Sequence, residues 1–461
     1  MDRDELAFAG VVRLAEMVRA GDVRSRELVE LFLGRIERLE PELNAFRRVM
    51  AERALADAQQ ADSRHDAGDD RPLLGVPIAV KDTEDVVGEV TAWGTDAHGG
   101  APAREETEIV RRLRAAGAVI VGKTNTPELA IIGATEGPAF GVCRNPWNTD
   151  RTPGGSSGGS GAAVAAALVP AATASDGAGS IRIPAANCGL VGLKPQRDRI
   201  SLAPAREHWH GMSVVGFETR TVADTALLLD VAAGPAPERS YTEAAARPPG
   251  ALRVATSTRP ASPTPVGAEV KRAVEETAGV LRSLGHRVEE RDPDYGNTVA
   301  NAVIARYLRG VHDDAGAVPR PERLQRRTRG FARLGGTIPP AAVDWARRAE
   351  AGHAARINKL FDEFDVLVTP TTGRPPVGAT QWEGLGALRT LLGLANVYPF
   401  TGVWNHTGQP ALSIPAPSPS EDGLPIGVQL VGPPDSEGRL LSLAAQLEAE
   451  IRWPERRPPV S

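Results

Sequence analysis

Lysines are rare enough in this sequence to be the first candidates for chemistry. Only five of the 53 basic residues are lysines, at positions Lys81, Lys123, Lys194, Lys271 and Lys359. Where only a positive charge is needed, this sequence almost always uses arginine, which stays protonated. A desolvated lysine, by contrast, can lose its proton and act as a base. Lys81 follows the apolar stretch GVPIAV, which predicts a buried strand. It should therefore lie at the carboxyl edge of a sheet, where open α/β sheets bind ligands.

Ser180 is the first candidate nucleophile. It follows Gly177, Ala178 and Gly179 in the segment DGAGSIRIP. Such small residues leave successive backbone N–H groups unobstructed, as required for an oxyanion hole that stabilises the charge of a tetrahedral intermediate. We predict that Ser180 attacks a carbonyl carbon, and that Gly177, Ala178 and Gly179 form the oxyanion hole.

Ser156 lies in the glycine-rich stretch GGSSGGSG, residues 154–161, directly before the helix-forming AAVAAAL. A phosphate-binding loop would need a lysine near its end, and none occurs between Lys123 and Lys194. A flexible linker would not normally run straight into an apolar helix. The stretch also spells G-x-S-x-G, the nucleophile elbow with Ser156 as nucleophile. An elbow follows a strand, however, whereas residues 148–153, NTDRTP, favour turns.

Strands and helices alternate around these candidates. Residues 75–80 and 118–121 are short apolar runs that predict buried strands, and residues 107–116 predict a helix that ends at Gly117. A strand, a helix and a second strand in this order form a βαβ unit, in which the strands are parallel. We therefore predict a largely parallel sheet in this region.

The same alternation returns at residues 252–284 and again at 364–368. Residues 5–19 and 25–39 predict amphipathic helices that pack on the outside of the core, the second ended by Pro41. These patterns indicate the α/β class. A length of 461 residues is compatible with one large domain or with two.

Composition argues against several functions. The net charge of −5 provides no basic surface for nucleic acid or anionic lipid. No apolar run is long enough to span a membrane, and the acidic start MDRDELAFAG is unlike a signal peptide. We expect a cytoplasmic protein with no cofactor and no metal: His208 and His210 form no ligand motif, and Cys143 and Cys188 form no disulfide framework.

The segments GVPIAVKD, PGGSSGGSGAAVAAALVP and SDGAGSIRIPAANCGLVGLKP, in this order, closely resemble the amidase signature family. Weaker matches such as FDVLVTPTT and GLPIGVQLVGPP extend the resemblance over essentially the whole chain. It implies one domain over residues 1–461, with a signature core at about 70–200 and helices within 1–60 packed on the outside. The implied fold is a mixed, mostly parallel, twisted sheet covered by helices.

The resemblance also implies a reaction, the hydrolysis of a carboxylic amide to an acid and an amine or ammonia. Ser180 would form the acyl-enzyme, Ser156 would be the bridging serine, and Lys81 would be the base of a Ser-Ser-Lys triad. The peptide bond between Gly155 and Ser156 would be cis. The expected partner is a small-molecule amide, and the sequence leaves a homodimer open.

Three further residues are expected to support the triad. Asp176 and Arg182 would form an ion pair, and Ser157 would orient the loop that carries Ser156. The chain departs from the usual family pattern at Ala178, where glycine is common, and at Gln196–Asp198. The effect of these departures on substrate choice is open.

Other functions are compatible with the same residues. The chain could be the subunit of an amidotransferase that releases ammonia from glutamine, although VWNHTGQPALSIP at residues 403–415 is more similar to free-standing bacterial amidases. It could also transfer an acyl group in a biosynthetic pathway. A pure binding module is disfavoured because all three triad residues are present.

Overall fold

The computed structural model describes residues 2–233 and 239–461. Within these ranges it has thirteen strands: β1 (Phe46–Val49), β2 (Pro77–Lys81), β3 (Val119–Thr124), β4 (Glu136–Gly137), β5 (Gly141–Val142), β6 (Ala171–Asp176), β7 (Val191–Lys194), β8 (Val214–Thr219), β9 (Arg253–Thr256), β10 (Arg287–Glu290), β11 (Val366–Pro370), β12 (Ala411–Pro415) and β13 (Gly427–Val431).

Seventeen α-helices occur in the same ranges: α1 (Arg3–Ala7), α2 (Gly10–Ala20), α3 (Ser25–Leu43), α4 (Ala51–Asp66), α5 (Glu108–Ala115), α6 (Gly158–Ala165), α7 (Arg182–Cys188), α8 (Val222–Ala233), α9 (Tyr241–Ala245), α10 (Ala268–Ser283), α11 (Val299–Ala317), α12 (Arg326–Gly336), α13 (Pro340–Asn358), α14 (Leu360–Glu363), α15 (Ala387–Val397), α16 (Gly402–Thr407) and α17 (Glu437–Ile451). In the ranges described, no helix is both long enough and apolar enough to cross a bilayer.

Eleven strands form one sheet in the order β1-β3-β2-β6-β8-β7-β12-β13-β11-β9-β10. Its parallel pairs form two groups, β3-β2-β6 and β11-β9-β10. The strands between these groups pair antiparallel, as does β1 at one edge. The chain is thus a single α/β domain with a large mixed sheet flanked by helices, and the predicted fold class is confirmed.

Strand β2 shows why its sequence is apolar without interruption. Ile78 and Val80 belong to the cluster of buried side chains on one face of the sheet, and Ala79 belongs to the cluster on the other face. Successive side chains of a strand point to opposite faces, so a strand covered on both faces has no polar positions. By the same alternation, Lys81 at the end of β2 shares the face of Ala79.

The N-terminal region differs from the predicted pair of helices. The first predicted helix is interrupted before Gly10, where φ is +81° and a side chain would lie 2.5 Å from the Asp224 carboxylate. The second helix does not end at Pro41, as we expected. It continues to Leu43 and ends where Asn44 adopts a left-handed conformation, so the backbone hydrogen bond that Pro41 cannot donate does not end the helix. Strand β1, which follows, was not predicted.

Helix α12 packs against both α11 and α15. The three helices share a cluster of buried apolar side chains that includes Trp209, Tyr307 and Phe331. The approach of α12 to α11 is close, because a side chain on Gly335 would lie 1.9 Å from the carbonyl oxygen of Leu308. A residue without a side chain is therefore required at this crossing.

We expect Gly335→Ala to destabilise the protein by about 1–3 kcal/mol, since the added methyl group must push α12 away from α11. Gly316→Ala is the matched control, because Gly316 is also helical and a side chain there would meet no atom within 4 Å. This control should keep or slightly raise the melting temperature. A thermal unfolding scan of both variants provides the measurement, and an unchanged melting temperature for Gly335→Ala would contradict the packing described.

Candidate active site

Lys81 is fully buried at the carboxyl end of β2. Its Nζ donates hydrogen bonds to Ser156 Oγ at 2.7 Å and to Ser175 Oγ at 2.8 Å. Burial lowers the pKa of Lys81 to about 7, although the carboxyl groups of Glu218, Glu84 and Asp176 favour the charged form. A substantial fraction of this amine is therefore neutral near pH 7, so it can accept a proton from a hydroxyl group.

The neighbouring carboxylate does not pair with Lys81. Asp82 instead accepts hydrogen bonds from Arg47 at 3.0 Å and lies 2.9 Å from the Nζ of Lys123. This arrangement gives Lys123 a structural role and leaves Lys81 without a contacting carboxylate among the described residues.

Ser156 lies in the loop that precedes α6, and residues 152–157 form no strand. The elbow interpretation lacks its required strand here. The Gly155–Ser156 peptide bond is cis. Close packing explains the glycines on both sides of Ser156: a side chain on Gly155 in the loop would lie 2.6 Å from the backbone nitrogen of Ala134, and one on Gly158 at the start of α6 would lie 2.3 Å from Thr135 Oγ1. The loop is thus tightly enclosed.

Ser157 and Ser175 tie this loop to the end of β6. Ser157 Oγ lies 3.3 Å from both the carbonyl oxygen and the backbone nitrogen of Ser175. The backbone N–H of Ser157 also donates to the carbonyl of Ser180 at 3.4 Å. Ser175, the second hydrogen-bond partner of Lys81, was not singled out from the sequence. Its position directly before Asp176 in the SDGAGS segment is the signal that could have identified it.

Ser180 follows β6 and lines a cavity together with Ser156. Of the three amides predicted to form the oxyanion hole, that of Gly179 is otherwise occupied, because it donates to Asp176 Oδ1 at 2.6 Å. Gly179 is therefore removed from the predicted set. Glycine is still required there, since φ is +130° and a side chain would lie 2.5 Å from Thr401 Oγ1. Gly177 and Ala178 each line a cavity whose wall also includes Ser180.

Asp176 and Arg182 form a fully buried ion pair with two contacts, at 2.9 and 3.0 Å. Burial raises the pKa of Asp176, but the charge and hydrogen bonds of Arg182 outweigh it and lower the pKa to about 2. Arg182 also donates to Asn405 Oδ1 and Gln429 Oε1, both at 2.6 Å. Asn405, which in turn donates to Asp176 at 2.8 Å, was missed because a single amide in a distant segment carries no sequence signal.

Two cavities meet at Ser180. The first, here called the polar cavity because it has more polar residues than the second, has a volume of about 210 Å³ and is lined by serines, threonines and acidic residues together with apolar residues such as Leu202 and Val214. The second, here called the apolar cavity, has a volume of about 280 Å³ and is lined mainly by aliphatic and aromatic residues. Tyr307 and Tyr398, which line it, fix the opposing segment by donating to the carbonyl groups of Ile131 and Gly133 at 2.7 Å.

The described residues contain no group of three or more His, Cys, Asp or Glu side chains arranged to hold a metal ion. His208 and His210 contact separate carboxylates, those of Asp314 and Asp313. Cys143 and Cys188 are buried free thiols whose pKa is raised by burial. These thiols are therefore poor nucleophiles.

Known proteins share this architecture. The family model Amidase matches residues 27–441. The Mycobacterium tuberculosis protein named "Putative amidase AmiB2" is 51% identical, with 100% of both chains covered. The 6-aminohexanoate-cyclic-dimer hydrolase of Paenarthrobacter ureafaciens is 36% identical, with 96% of this chain and 95% of the relative covered.

Solved structures agree with these matches. A structure of 6-aminohexanoate cyclic dimer hydrolase in complex with substrate superimposes with a TM-score of 0.88 and 33% identity, covering 98% of this chain and 99% of the other. A bacterial aryl acylamidase of the amidase signature family has a TM-score of 0.86 and 25% identity, with 97% and 99% of the chains covered. The chain therefore belongs to the amidase signature family, whose members hydrolyse amides.

Proposed function

We propose that this protein hydrolyses linear carboxylic amides to an acid and an amine or ammonia through an acyl-enzyme on Ser180. The observation that supports this most is the 2.7 Å hydrogen bond from Lys81 Nζ to Ser156 Oγ. It joins a base with a lowered pKa to a hydroxyl group that shares a cavity wall with Ser180.

The first half of the reaction forms the acyl-enzyme. Ser180 Oγ attacks the carbonyl carbon of the amide, its proton passes to Ser156 Oγ, and the Ser156 proton passes to Lys81 Nζ. The carbonyl oxygen becomes negative and accepts hydrogen bonds from the backbone amides of Gly177 and Ala178. When the intermediate collapses, the carbon–nitrogen bond breaks, and the proton returns through Ser156 to the departing nitrogen.

The second half regenerates the enzyme. Water attacks the acyl carbon and gives its proton to the same relay, and the bond to Ser180 Oγ breaks as that oxygen takes a proton back. In this proposal Asp176 and Arg182 hold the segment that carries Ser180 in place, since the Asp176 carboxylate accepts hydrogen bonds from the backbone amides of Gly179 and Ile181. Ser157 holds the Ser156 loop against Ser175.

Acyl transfer would share the first half and differ only in the group that attacks the acyl-enzyme. Product analysis with and without an added amine separates the two reactions. The amidotransferase alternative would require glutaminase activity and a copurifying partner subunit. Hydrolysis is preferred because the matches to a protein named as a putative amidase and to a 6-aminohexanoate cyclic dimer hydrolase extend over 100% and 98% of this chain.

A fluorophosphonate probe should attach to Ser180, because this serine is the proposed nucleophile and is only half-buried in the cavity. Peptide mapping by mass spectrometry identifies the modified residue. Ser180→Ala should abolish labelling, whereas Ser201→Ala, at an exposed serine, should leave it unchanged. An adduct on Ser156 would reverse the proposed roles of the two serines.

Lys81→Arg should lower kcat/KM by at least about 10²-fold and resemble Lys81→Ala, because arginine keeps the charge but cannot accept the proton. Lys359→Arg, at an exposed lysine, is the matched control and should keep wild-type activity.

In the wild type, kcat/KM should rise with pH through about 7, since the base is active only when neutral and burial lowers the pKa of Lys81 to about 7. Measurement of kcat/KM from about pH 5.5 to 9 covers this titration. Substantial activity in Lys81→Arg, or a profile that falls across this range, would rule out Lys81 as the base.

A further inference from the structure

The two cavities beside Ser180 differ in which other proposed catalytic residues they contact. Ser180 lines both, Ser156 lines only the polar cavity, and Ala178 lines only the apolar cavity. The scissile carbonyl carbon must lie at Ser180, where the cavities join. A bound amide therefore extends into both cavities, one part on each side of this carbon.

The proposed proton path decides which part of the amide occupies which cavity. Ser156 returns a proton to the departing nitrogen, so this nitrogen must lie within hydrogen-bond reach of Ser156 Oγ. Because Ser156 opens only into the polar cavity, the amine part lies there. The acyl part is then directed into the apolar cavity.

The apolar cavity is suited to a hydrocarbon acyl group. Its wall includes the side chains of Ile131, Ile183, Val303 and Leu391. The apolar lining continues to the surface, where Leu392 is 58% exposed. Burial of each methylene group there should improve binding about fourfold.

The polar cavity has acidic residues in its wall. Glu84 and Asp85 line it, and none of the described residues in its wall is a lysine or an arginine. The imidazole of His208, which is also in this wall, is hydrogen-bonded to Asp314 at 3.0 Å. Burial raises the pKa of Glu84, with Lys81 offsetting this only in part. A cation in the cavity would stabilise the ionised carboxylate, and the wall also contains the indole of Trp93, a ring type that can bind a cation.

We propose that the preferred substrates are amides of apolar carboxylic acids whose amine part carries a cationic group, bound in the polar cavity beside Glu84 and Asp85. This substrate class rests on the proposed function, because the direction of the amide is set by the relay through Ser156. An aliphatic diamine joined to a hydrocarbon acid through one nitrogen is the simplest member of the class.

Binding to the Ser180→Ala variant tests the substrate class without turnover. Three amides are compared by isothermal titration calorimetry: the octanoyl amide of ethylenediamine, the nearly isosteric octanoyl amide of propylamine, and the β-alanine amide of octylamine, which reverses the two ends. The ethylenediamine amide should bind at least about tenfold more tightly than either, because its ammonium gains charge-assisted hydrogen bonds. Equal affinity for the propylamine amide would contradict the proposed recognition of a cationic group. Tighter binding of the reversed amide would contradict the proposed placement of the amine part in the polar cavity.

Asp85→Asn in the same Ser180→Ala background should reduce the affinity ratio between the ethylenediamine and propylamine amides about tenfold. Glu105→Gln is the matched control, since Glu105 is exposed and lies outside both cavities; it should preserve the ratio. A ratio that is unchanged in Asp85→Asn would contradict recognition of the ammonium by this carboxylate.

The apolar cavity is tested with two leucines of α15. Leu392→Asp should weaken binding of the octanoyl amide about fivefold, because Leu392 lines the cavity. Leu388→Asp should have no effect, since Leu388 is similarly exposed, at 61%, but does not line the cavity. Equal effects of both changes would place the acyl group elsewhere.

The failure of this inference is distinguishable from failure of the proposed function. If the wild type hydrolyses none of these amides and Ser180 forms no adduct, the proposed reaction is wrong, and the inferred substrate class is rejected with it whatever the binding ratios in Ser180→Ala. If hydrolysis occurs but is fastest for the neutral or the reversed amide, the reaction stands and the inferred substrate class is wrong.

Discussion

The burial of Lys81 without a contacting carboxylate in the described part of the chain is the constraint on which the rest of the site depends. An ammonium group removed from water loses its solvation, and an ion pair would restore the charged form. The structure supplies two serine hydroxyls to Lys81 and directs the adjacent Asp82 to Arg47 and Lys123. The neutral amine of Lys81 is thus favoured for two reasons. Its hydrogen-bond partners are uncharged hydroxyl groups, and the nearby carboxylate of Asp82 is already paired with Arg47 and Lys123.

A second requirement of the proposed reaction is that the backbone around Ser180 holds its shape while charge develops beside it. This segment is anchored by Asp176, whose carboxylate accepts two backbone amides as well as the guanidinium of Arg182. A buried ion pair stabilises only when its remaining hydrogen-bonding capacity is satisfied. Here Asn405 and Gln429 complete that set. The site is therefore held by charge pairing in the layer beneath it.

Much of this arrangement could be predicted from the sequence, because the proposed catalytic residues lie in segments with local signals. The apolar run before Lys81 identified β2, and the small residues around Ser156 and Ser180 indicated close backbone approaches. Two features could not be predicted. The role of Asn405 depends on a contact with Asp176, 229 positions away in the chain, which no local pattern records. The Gly179 amide is lost to Asp176 only three residues earlier, in a turn whose conformation the sequence pattern does not specify.

The hydrogen bonds of Arg182 also have a consequence for biosynthesis. Its acceptors on Thr401, Asn405 and Gln429 are separated from it by 219, 223 and 247 positions along the chain. A ribosome therefore releases the whole segment with Lys81, Ser156 and Ser180 long before these acceptors have been synthesised. Until then the guanidinium lacks three of its partners, so the nascent chain cannot bury it in the native way. Hydrolytic competence is in this sense a property of the finished polypeptide, acquired near the end of translation.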